Sequence, residues 1–267
     1  MSPRYIYIDS LFYDDFQRDC ELRGTVESYL HRNELVIMVT DAVLIEKRPA
    51  TSQHSSIYDL WKTTNAALIE PARARFLYES AVRYPVVPSI RVLGRFSEFL
   101  DDGAWLWNSA LSELLRGGFE GVRSKTAHPN FAAEFPDVDV PASMTQVWEF
   151  TDRFIAAHLR RRFGDRITEP QLHRLTPPLE RAAFSPLRVF AGLVFLKHYI
   201  DTTRRAKKGD FGDQLHSFYF PLCNEVVLEN DQAAQVRQLQ HRCPEMFYPW
   251  SPSIYNRREF LDRIRVK

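Results

Sequence analysis

The amino-acid sequence predicts an α/β protein with a central parallel sheet and helices on both of its faces. Short runs of β-branched and aromatic residues alternate with longer segments of helical periodicity towards both ends of the 267-residue chain. One run, residues 35–39, is continuously apolar, as expected for a parallel strand that is buried on both faces. The composition, 45% hydrophobic and 13% aromatic, provides enough apolar side chains for one large core. These observations predict a single three-layer α/β domain over residues 1–267.

The N-terminal third of the sequence predicts two strands, each followed by a helix, and one further helix. Prolines limit two of these helices, because proline has no N–H to donate within a helix. In chain order, the predicted elements are a strand at 5–8, a helix from Leu11 to His31, a strand at 35–39, a helix that Thr40 or Asp41 can cap and Pro49 limits, and a helix at 66–83 that Pro71 can break.

The composition and residue pattern of residues 85–185 differ from those of both ends of the chain. These residues contain many prolines, several tryptophans and two adjacent glycines, and strands do not alternate with helices in any regular way. Helical patterns occur around residues 105–115 and at residues 147–163. We therefore expect this stretch to be a mostly helical insertion or cap within the α/β domain.

The C-terminal third again predicts alternating strands and helices. A serine followed by proline marks the start of the first helix, since proline is favoured at the first helical position. The predicted elements are a helix from Ser185 to about Arg204, a helix at 211–222, a strand at 226–228, a helix at 231–241, a strand at 246–248 and a helix at 257–264.

Composition excludes several classes of protein. The formal net charge of +1 excludes a globally basic nucleic-acid binder, so any attraction for phosphate must come from local clusters. The three cysteines are far apart and form no C-x-x-C pair, which fits a reducing compartment and core positions. The longest apolar stretch, residues 187–200, is interrupted by charged residues and is too short to span a bilayer. With no signal-like N-terminal segment, the sequence predicts a soluble, cytoplasmic protein.

Acidic residues stand at the predicted strand ends, where ligands bind in open parallel sheets. Asp9 follows the first strand, and Asp41 and Glu46 follow the second. Asp213 opens the helix before a late strand, and Asp231 follows that strand. Converging carboxylates repel one another unless a cation is present, and hard oxygen ligands select Mg²⁺ or Mn²⁺. The sequence therefore predicts a metal site at this edge of the sheet.

These segments resemble the PIN-like nuclease family. The resemblance rests on residues 7–10 (YIDS), Glu46, the D-x-x-H pattern at residues 213–216 and residues 227–231 (VLEND), and it covers roughly residues 4–50 and 187–250. It implies a PIN-like fold whose metal ligands and catalytic residues are Asp9, Glu46, Asp213 and Asp231. The expected activity is Mg²⁺- or Mn²⁺-dependent hydrolysis of RNA or single-stranded nucleic acid, leaving 5′-phosphate and 3′-hydroxyl ends, in a toxin or defence setting.

The chain also departs from the family pattern. Glu229 and Asn230 stand where threonine and aspartate usually precede the last aspartate, and Asn224 stands where aspartate is common. Asp210 competes with Asp213 for the third ligand position, and Glu229 could add a carboxylate to the site. The alternative is therefore a catalytically inactive PIN-like binding or scaffold protein, with the insertion as a surface for an inhibitor or partner protein.

Basic residues near the predicted site are candidates for substrate binding. Lys207 and Lys208 end a basic run at residues 204–208, and such clusters bind phosphate backbones, although most basic runs are solvated helix faces. His216 lies one helical turn after Asp213 and could contact phosphate or hold its helix against a neighbour. The expected substrate-binding residues are Lys207, Lys208 and His216.

Each acidic residue has a second interpretation, in which it stabilises a helix. Asp9, Asp213 and Asp231 stand at helix starts, where aspartate is a preferred cap, and the helix dipole favours Glu46. The sequence lacks the motifs of several other enzyme classes: it has no G-x-G-x-x-G, no phosphate-binding loop, no G-x-S-x-G and no H-E-x-x-H. Leu11 also stands where a haloacid-dehalogenase-like phosphatase would have its second aspartate.

Overall fold

The structure, a computed structural model, describes residues 3–40, 42–43, 55–69, 90, 92–98, 142–163, 184–200, 214–248 and 250–265. Its strands and α-helices are, in chain order, β1 Arg4–Ile8, α1 Ser10–Arg18, α2 Cys20–Arg32, β2 Leu35–Val39, α3 Ser55–Thr63, β3 Ala67–Ile69, β4 Val92–Arg95, α4 Val147–Phe163, α5 Ser185–Phe195, β5 Glu225–Leu228, α6 Asn230–Arg242, β6 Ser253–Asn256 and α7 Arg257–Arg265. A π-helix at Leu196–Ile200 and 3₁₀ helices at Phe96–Glu98, Met144–Gln146, His216–Leu222 and Pro244–Phe247 lie between them.

The six strands form one mixed sheet in the order β4-β3-β2-β1-β5-β6. All neighbouring strands are parallel except β3 and β4, which are antiparallel. The predicted parallel sheet is therefore confirmed for five strands, and β4 adds an antiparallel edge. The chain runs outwards from β1 to β3, then returns to β5 beside β1 and continues to β6 on the other side. The strand order thus reverses between β1 and β5.

Helices cover both faces of the sheet. On one face, the ring of Tyr7 in β1 lies 5.7 Å from that of His216 and 5.3 Å from that of Phe220. Glu225 of β5 pairs with Ile6, so its side chain lies on the opposite face, where it accepts a hydrogen bond from Tyr29 of α2. Because successive residues of a strand alternate between faces, α2 and the 3₁₀ helix at His216–Leu222 lie on opposite sides.

Three differences from the predicted elements occur before residue 70, and the first is helix α3 at Ser55–Thr63, which was not predicted. The predicted helix from Leu11 to His31 is two helices, because Asp19 has an extended backbone and its carboxylate accepts from the N–H of Leu22 at 2.9 Å, capping α2. Residues 67–69, predicted to be helical, form β3, a buried strand that pairs with β2. Periodicity does not distinguish so short an apolar run from a buried helix.

Among the later helices and strands, some predictions are confirmed and others are wrong. The helix predicted at residues 147–163 is confirmed as α4 and packs on α5 through Phe150 and Phe195, whose rings are 5.0 Å apart. Strand β4 lies in the stretch predicted to be a helical insertion, yet it extends the sheet. The strand predicted at residues 246–248 is wrong, since Pro244 starts a 3₁₀ helix there and the strand is β6.

Core packing is apolar around α5, whose residues are all buried. Of the cysteines, Cys223 and Cys243 are buried as predicted, and burial raises the pKa of the Cys223 thiol. Cys20 is exposed, contrary to the expectation of a core position. None of the helices within the described residues has the length and apolar character needed to cross a membrane.

Two linked hydrogen bonds join β5, α2 and α7. The hydroxyl of Tyr29 donates to Glu225 Oε2 at 2.8 Å and accepts from Arg263 Nε at 2.9 Å. Burial, followed by the hydrogen bond to the Glu225 carboxylate, raises the pKa of Tyr29 to about 12. Burial and the hydrogen bond to Glu225 therefore keep the Tyr29 phenol protonated in the folded protein well above its ordinary pKa.

Replacing Tyr29 with Phe is expected to reduce the loss of stability at alkaline pH. The unfolded phenol ionises near pH 10 and the folded one near pH 12, so the stabilisation is complete below pH 10 and is lost as pH rises through 12. Over this window the free energy of unfolding of the native protein should fall by up to about 1.4 kcal/mol per pH unit more than that of Tyr29→Phe. Urea unfolding at pH 9, 10, 11 and 12 measures both slopes, and equal slopes would contradict the raised pKa.

Candidate active site at the carboxyl edge of the sheet

The predicted acidic site lies where the strand order reverses. The backbone N–H of Asp9 donates to the carbonyl of Val227 at 3.0 Å, continuing the ladder between β1 and β5. Asp9 therefore stands beside the end of β5, which is followed by Glu229, Asn230 and Asp231. In open α/β sheets, ligands bind in the crevice beyond the carboxyl ends of the strands at such a reversal.

Asp9 caps α1. Its Oδ1 accepts from the backbone N–H of Leu11 at 3.1 Å, and the residue is partly buried. The capping interpretation is therefore confirmed for Asp9. Because a carboxylate has about four lone-pair sites, a capping hydrogen bond does not by itself prevent the same group from binding a cation.

The residues after β5 form the start of α6. Glu229 is the N-cap residue, but its side chain makes no capping hydrogen bond. Asp231 lies in the first turn of α6 and is exposed. An acidic residue in the first turn is stabilised by the positive end of the helix dipole, so the position of Asp231 is favourable without a metal.

Two helices begin at the reversal point. Ser10 is the first residue of α1 and Asn230 the first of α6, and each follows one of the two central strands. The N-terminus of a helix carries free N–H groups and partial positive charge, which attract phosphate and carboxylate groups. This edge therefore combines carboxylates that suit a cation with helix termini that suit an anion.

The neighbouring strand ends are occupied by local hydrogen bonds. After β2, the buried Thr40 accepts from the N–H of Val43 through Oγ1 at 3.3 Å. After β6, Asn256 and Glu259 cap α7 reciprocally, each side chain accepting from the other's backbone N–H at 2.9 Å. Arg237 pairs with Glu259, and this bond lowers the pKa of that carboxyl group. The acidic side chains that remain as candidate ligands in the described part of the edge are thus those that follow β1 and β5.

Tyr13 is a residue near this site that the sequence did not indicate. It lies one helical turn after Asp9 and is fully buried, and its ring packs edge-on against that of Trp61 with the ring centres 5.4 Å apart. Burial raises the pKa of the Tyr13 hydroxyl, and the nearby Asp9 carboxylate adds to the rise. The spacing of four residues from Asp9 was the one available signal, because such residues share a helix face.

The structure places His216 inside the protein. It is 3% exposed, and its Nδ1 forms a hydrogen bond with the hydroxyl of the fully buried Tyr7. This bond supports the interpretation in which His216 holds its helix against the sheet. Contact between His216 and a substrate stays a prediction.

Asn224 lies at the opposite edge of the sheet. Its Oδ1 accepts from the N–H of Tyr5 at 2.8 Å, and its own N–H donates to the carbonyl of Tyr5 at 2.8 Å. Both residues are at the amino ends of β1 and β5, one strand length from Asp9. The asparagine at this position therefore takes part in strand pairing and lies away from the candidate site at the carboxyl edge.

The remaining predicted site residues lie outside the described residues. These are Asp41, Glu46, Asp210, Asp213, Lys207 and Lys208. Within the residues that the structure describes, no group of three or more His, Cys, Asp or Glu side chains could hold a metal ion. A metal site at this edge would thus need at least one further ligand from outside the described residues, such as Glu46 or Asp213, in addition to Asp9 and Asp231.

Comparison with known proteins adds no relative: no family model, no curated protein and no solved structure matches this chain.

Proposed function

We propose that this protein is a PIN-like, metal-dependent nuclease that hydrolyses phosphodiester bonds of RNA or single-stranded nucleic acid. The observation that carries the proposal is the pairing of β1 with β5, shown by the hydrogen bond from Asp9 N–H to Val227 O at 3.0 Å. This pairing brings the acidic residues that follow the two strands to one edge, although they are more than 200 positions apart in the sequence. The edge is also where open α/β sheets bind ligands.

The chemistry of the edge supports a phosphodiester substrate. Asp9 and Asp231, with Glu46 and Asp213, would hold Mg²⁺ or Mn²⁺ through hard oxygen ligands. A metal bound there supplies a water of lowered pKa and offsets charge on phosphate oxygens. The N-termini of α1 and α6 favour the negative charge of the substrate, and Lys207 and Lys208 are the proposed contacts to the phosphate backbone.

Replacing Asp9 with Asn tests the metal site. We expect Mn²⁺ to raise the melting temperature of the native protein and to have no such effect on Asp9→Asn or Asp231→Asn, because each loses a charged ligand. Asparagine caps helices as well as aspartate does, so Asp9→Asn should retain the cap of α1. Asp19→Asn, which changes an equivalent cap at α2 away from the site, is the matched control and should keep the Mn²⁺ shift.

Cleavage assays on labelled single-stranded RNA and DNA, with Mn²⁺, Mg²⁺ or EDTA, test the reaction itself. Metal-dependent cleavage by the native protein and by Asp19→Asn, and its loss in Asp9→Asn and Asp231→Asn, is the expected result. The polymer that is cut identifies the substrate class. The absence of both cleavage and a metal-induced shift in melting temperature would overturn the proposal.

A binding or scaffold protein is the second candidate. The observation that favours it is the departure from the family pattern at Glu229 and Asn230, which form the start of α6 with no capping hydrogen bond from the Glu229 side chain. Such a protein would show the same melting temperature with Mn²⁺ and with EDTA. It would also tolerate Asp9→Asn without loss of its interaction.

A further inference from the structure

A surface pocket lies at the amino edge of the sheet, away from the candidate active site. It has a volume of about 450 Å³ and lies between the end of α2 and the last turns of α7, where it is lined by Tyr29, Arg32, Asn33, Asp262 and Arg263. Helix α2 ends just before β2 begins, and Arg4, the first residue of β1, donates through Nη1 to the carbonyl of Asn33. These contacts place the pocket at the amino ends of β1 and β2.

Arg263 is held in a fixed orientation at this pocket. Its Nε donates to the hydroxyl of Tyr29 at 2.9 Å, and its guanidinium carbon lies 5.4 Å from the ring centre of Tyr255 and 6.0 Å from that of Tyr29. Tyr29 is in turn anchored by the buried Glu225. The two terminal NH₂ groups of Arg263 have no acceptor among the described residues, so four oriented N–H donors remain available.

Arg32 provides a second cation at the same pocket. It is exposed and has no hydrogen bond or ion pair within the described residues. The carbonyl groups that end α2 do not require it, because Asn33 Nδ2 donates to Tyr29 O at 2.8 Å and Arg4 Nη1 donates to Asn33 O at 3.1 Å. Its charge is thus not used for capping α2.

The acidic lining residue does not neutralise both arginines. Asp262 lies 4.0 Å from the Nε of Arg258, an exposed residue of the same helix that does not line the pocket. Two guanidinium groups with unused donors therefore share the pocket with one carboxylate, which leaves the lining with a net positive charge. Guanidinium groups bind phosphate oxygens through parallel pairs of hydrogen bonds, and two of them suit a dianion better than a single carboxylate.

We propose that this pocket binds a phosphate group, with Arg263 as the preoriented ligand and Arg32 as the second cation. The phosphate belongs to a free phosphate or phosphomonoester, or to a nucleic-acid backbone. The proposal is independent of the nuclease activity, because the pocket is at the opposite edge of the sheet.

Calorimetric titration of the full chain with inorganic phosphate, and with a single-stranded oligonucleotide in EDTA, tests the pocket and distinguishes the two sources. Both titrations are run at constant ionic strength set by KCl. Arg263→Gln and Arg32→Gln should each weaken binding by about tenfold or more, since each removes charge-assisted hydrogen bonds. Arg258→Gln is the matched control and should bind as the native protein does.

Tyr29→Phe tests whether phosphate binding needs the fixed orientation of Arg263 or only the local positive charge. It leaves both arginines in place but removes the hydroxyl that fixes Arg263, so it should weaken phosphate binding while Arg258→Gln does not. Binding of neither probe, or binding that Arg258→Gln weakens as much as Arg263→Gln does, would overturn the proposal. If Arg263→Gln fails to fold, Arg32→Gln carries the test, because Arg32 makes no hydrogen bond or ion pair among the described residues that its loss would break.

Discussion

Asp152→Ala is expected to lower the free energy of unfolding by about 1.5–3 kcal/mol, because it removes a charged hydrogen-bond acceptor of a buried arginine. Arg188 of α5 is 0% exposed, and its Nη1 lies 2.5 Å from Asp152 Oδ1 and 3.3 Å from Thr151 Oγ1 of α4. The guanidinium also lies 5.5 Å from the ring centre of Trp148.

Arg188→Met should be less harmful than Asp152→Ala. Methionine fills much of the same volume as arginine without a charge. The Asp152 carboxylate can still be hydrated after this change, because its side chain is 29% exposed. The double variant Asp152→Ala/Arg188→Met should therefore be more stable than Asp152→Ala alone. Urea denaturation of the four proteins measures this coupling, and a double variant less stable than Asp152→Ala would refute a dominant role for the buried charge.

An exposed ion pair on the same helix provides the control for these variants. Glu149 lies 3.7 Å from Arg153, and both side chains are more than half exposed. Glu149→Ala should change the free energy of unfolding by less than about 0.5 kcal/mol, because solvent screens such pairs. A larger loss of stability would mean that any substitution in α4 destabilises the protein. The loss measured for Asp152→Ala could then not be assigned to the buried ion pair.

Gly192→Val is expected to destabilise the protein by about 2–3 kcal/mol through overpacking. Gly192 lies in the middle of α5 where this helix meets α6. A Cβ at this position would lie 2.9 and 3.0 Å from the two Cδ atoms of Leu239 and 3.5 Å from the Sδ of Met246. Valine adds two further methyl groups in the same space, and the neighbours are themselves buried.

Two variants distinguish overpacking from the general effect of replacing a glycine. Gly24 lies in α2, and a Cβ at this position would have no neighbouring atom within 4 Å, so Gly24→Ala should stabilise by about 0.5–1 kcal/mol through helix propensity alone. Leu239→Ala combined with Gly192→Val should cost less than the sum of the two single losses, because the smaller side chain makes room for valine. Thermal and urea unfolding measure both effects, and strictly additive losses at 192 and 239 would contradict direct contact.

The local pattern of apolar residues and helix caps was sufficient to predict the long or strongly patterned helices and strands. Strands β1, β2 and β5 and helices α4, α6 and α7 lie where the sequence predicted them, because their periodicity and their caps are properties of neighbouring residues. The break between α1 and α2 also has a local cause in Asp19, but the apolar pattern continues through it. Strands β3, β4 and β6 have only three to four residues each, and pairing with neighbours defines them.

The same division holds for the candidate site. The sequence by itself determined that Asp9 and Asp231 follow strands and begin helices, since both relations are local. Only the tertiary structure decided that β1 lies beside β5, that His216 is buried against Tyr7, and that Asn224 belongs to the far edge. Each of these depends on hydrogen bonds between residues about 200 positions apart. Such bonds form only when the whole sheet assembles, so no window of sequence contains them.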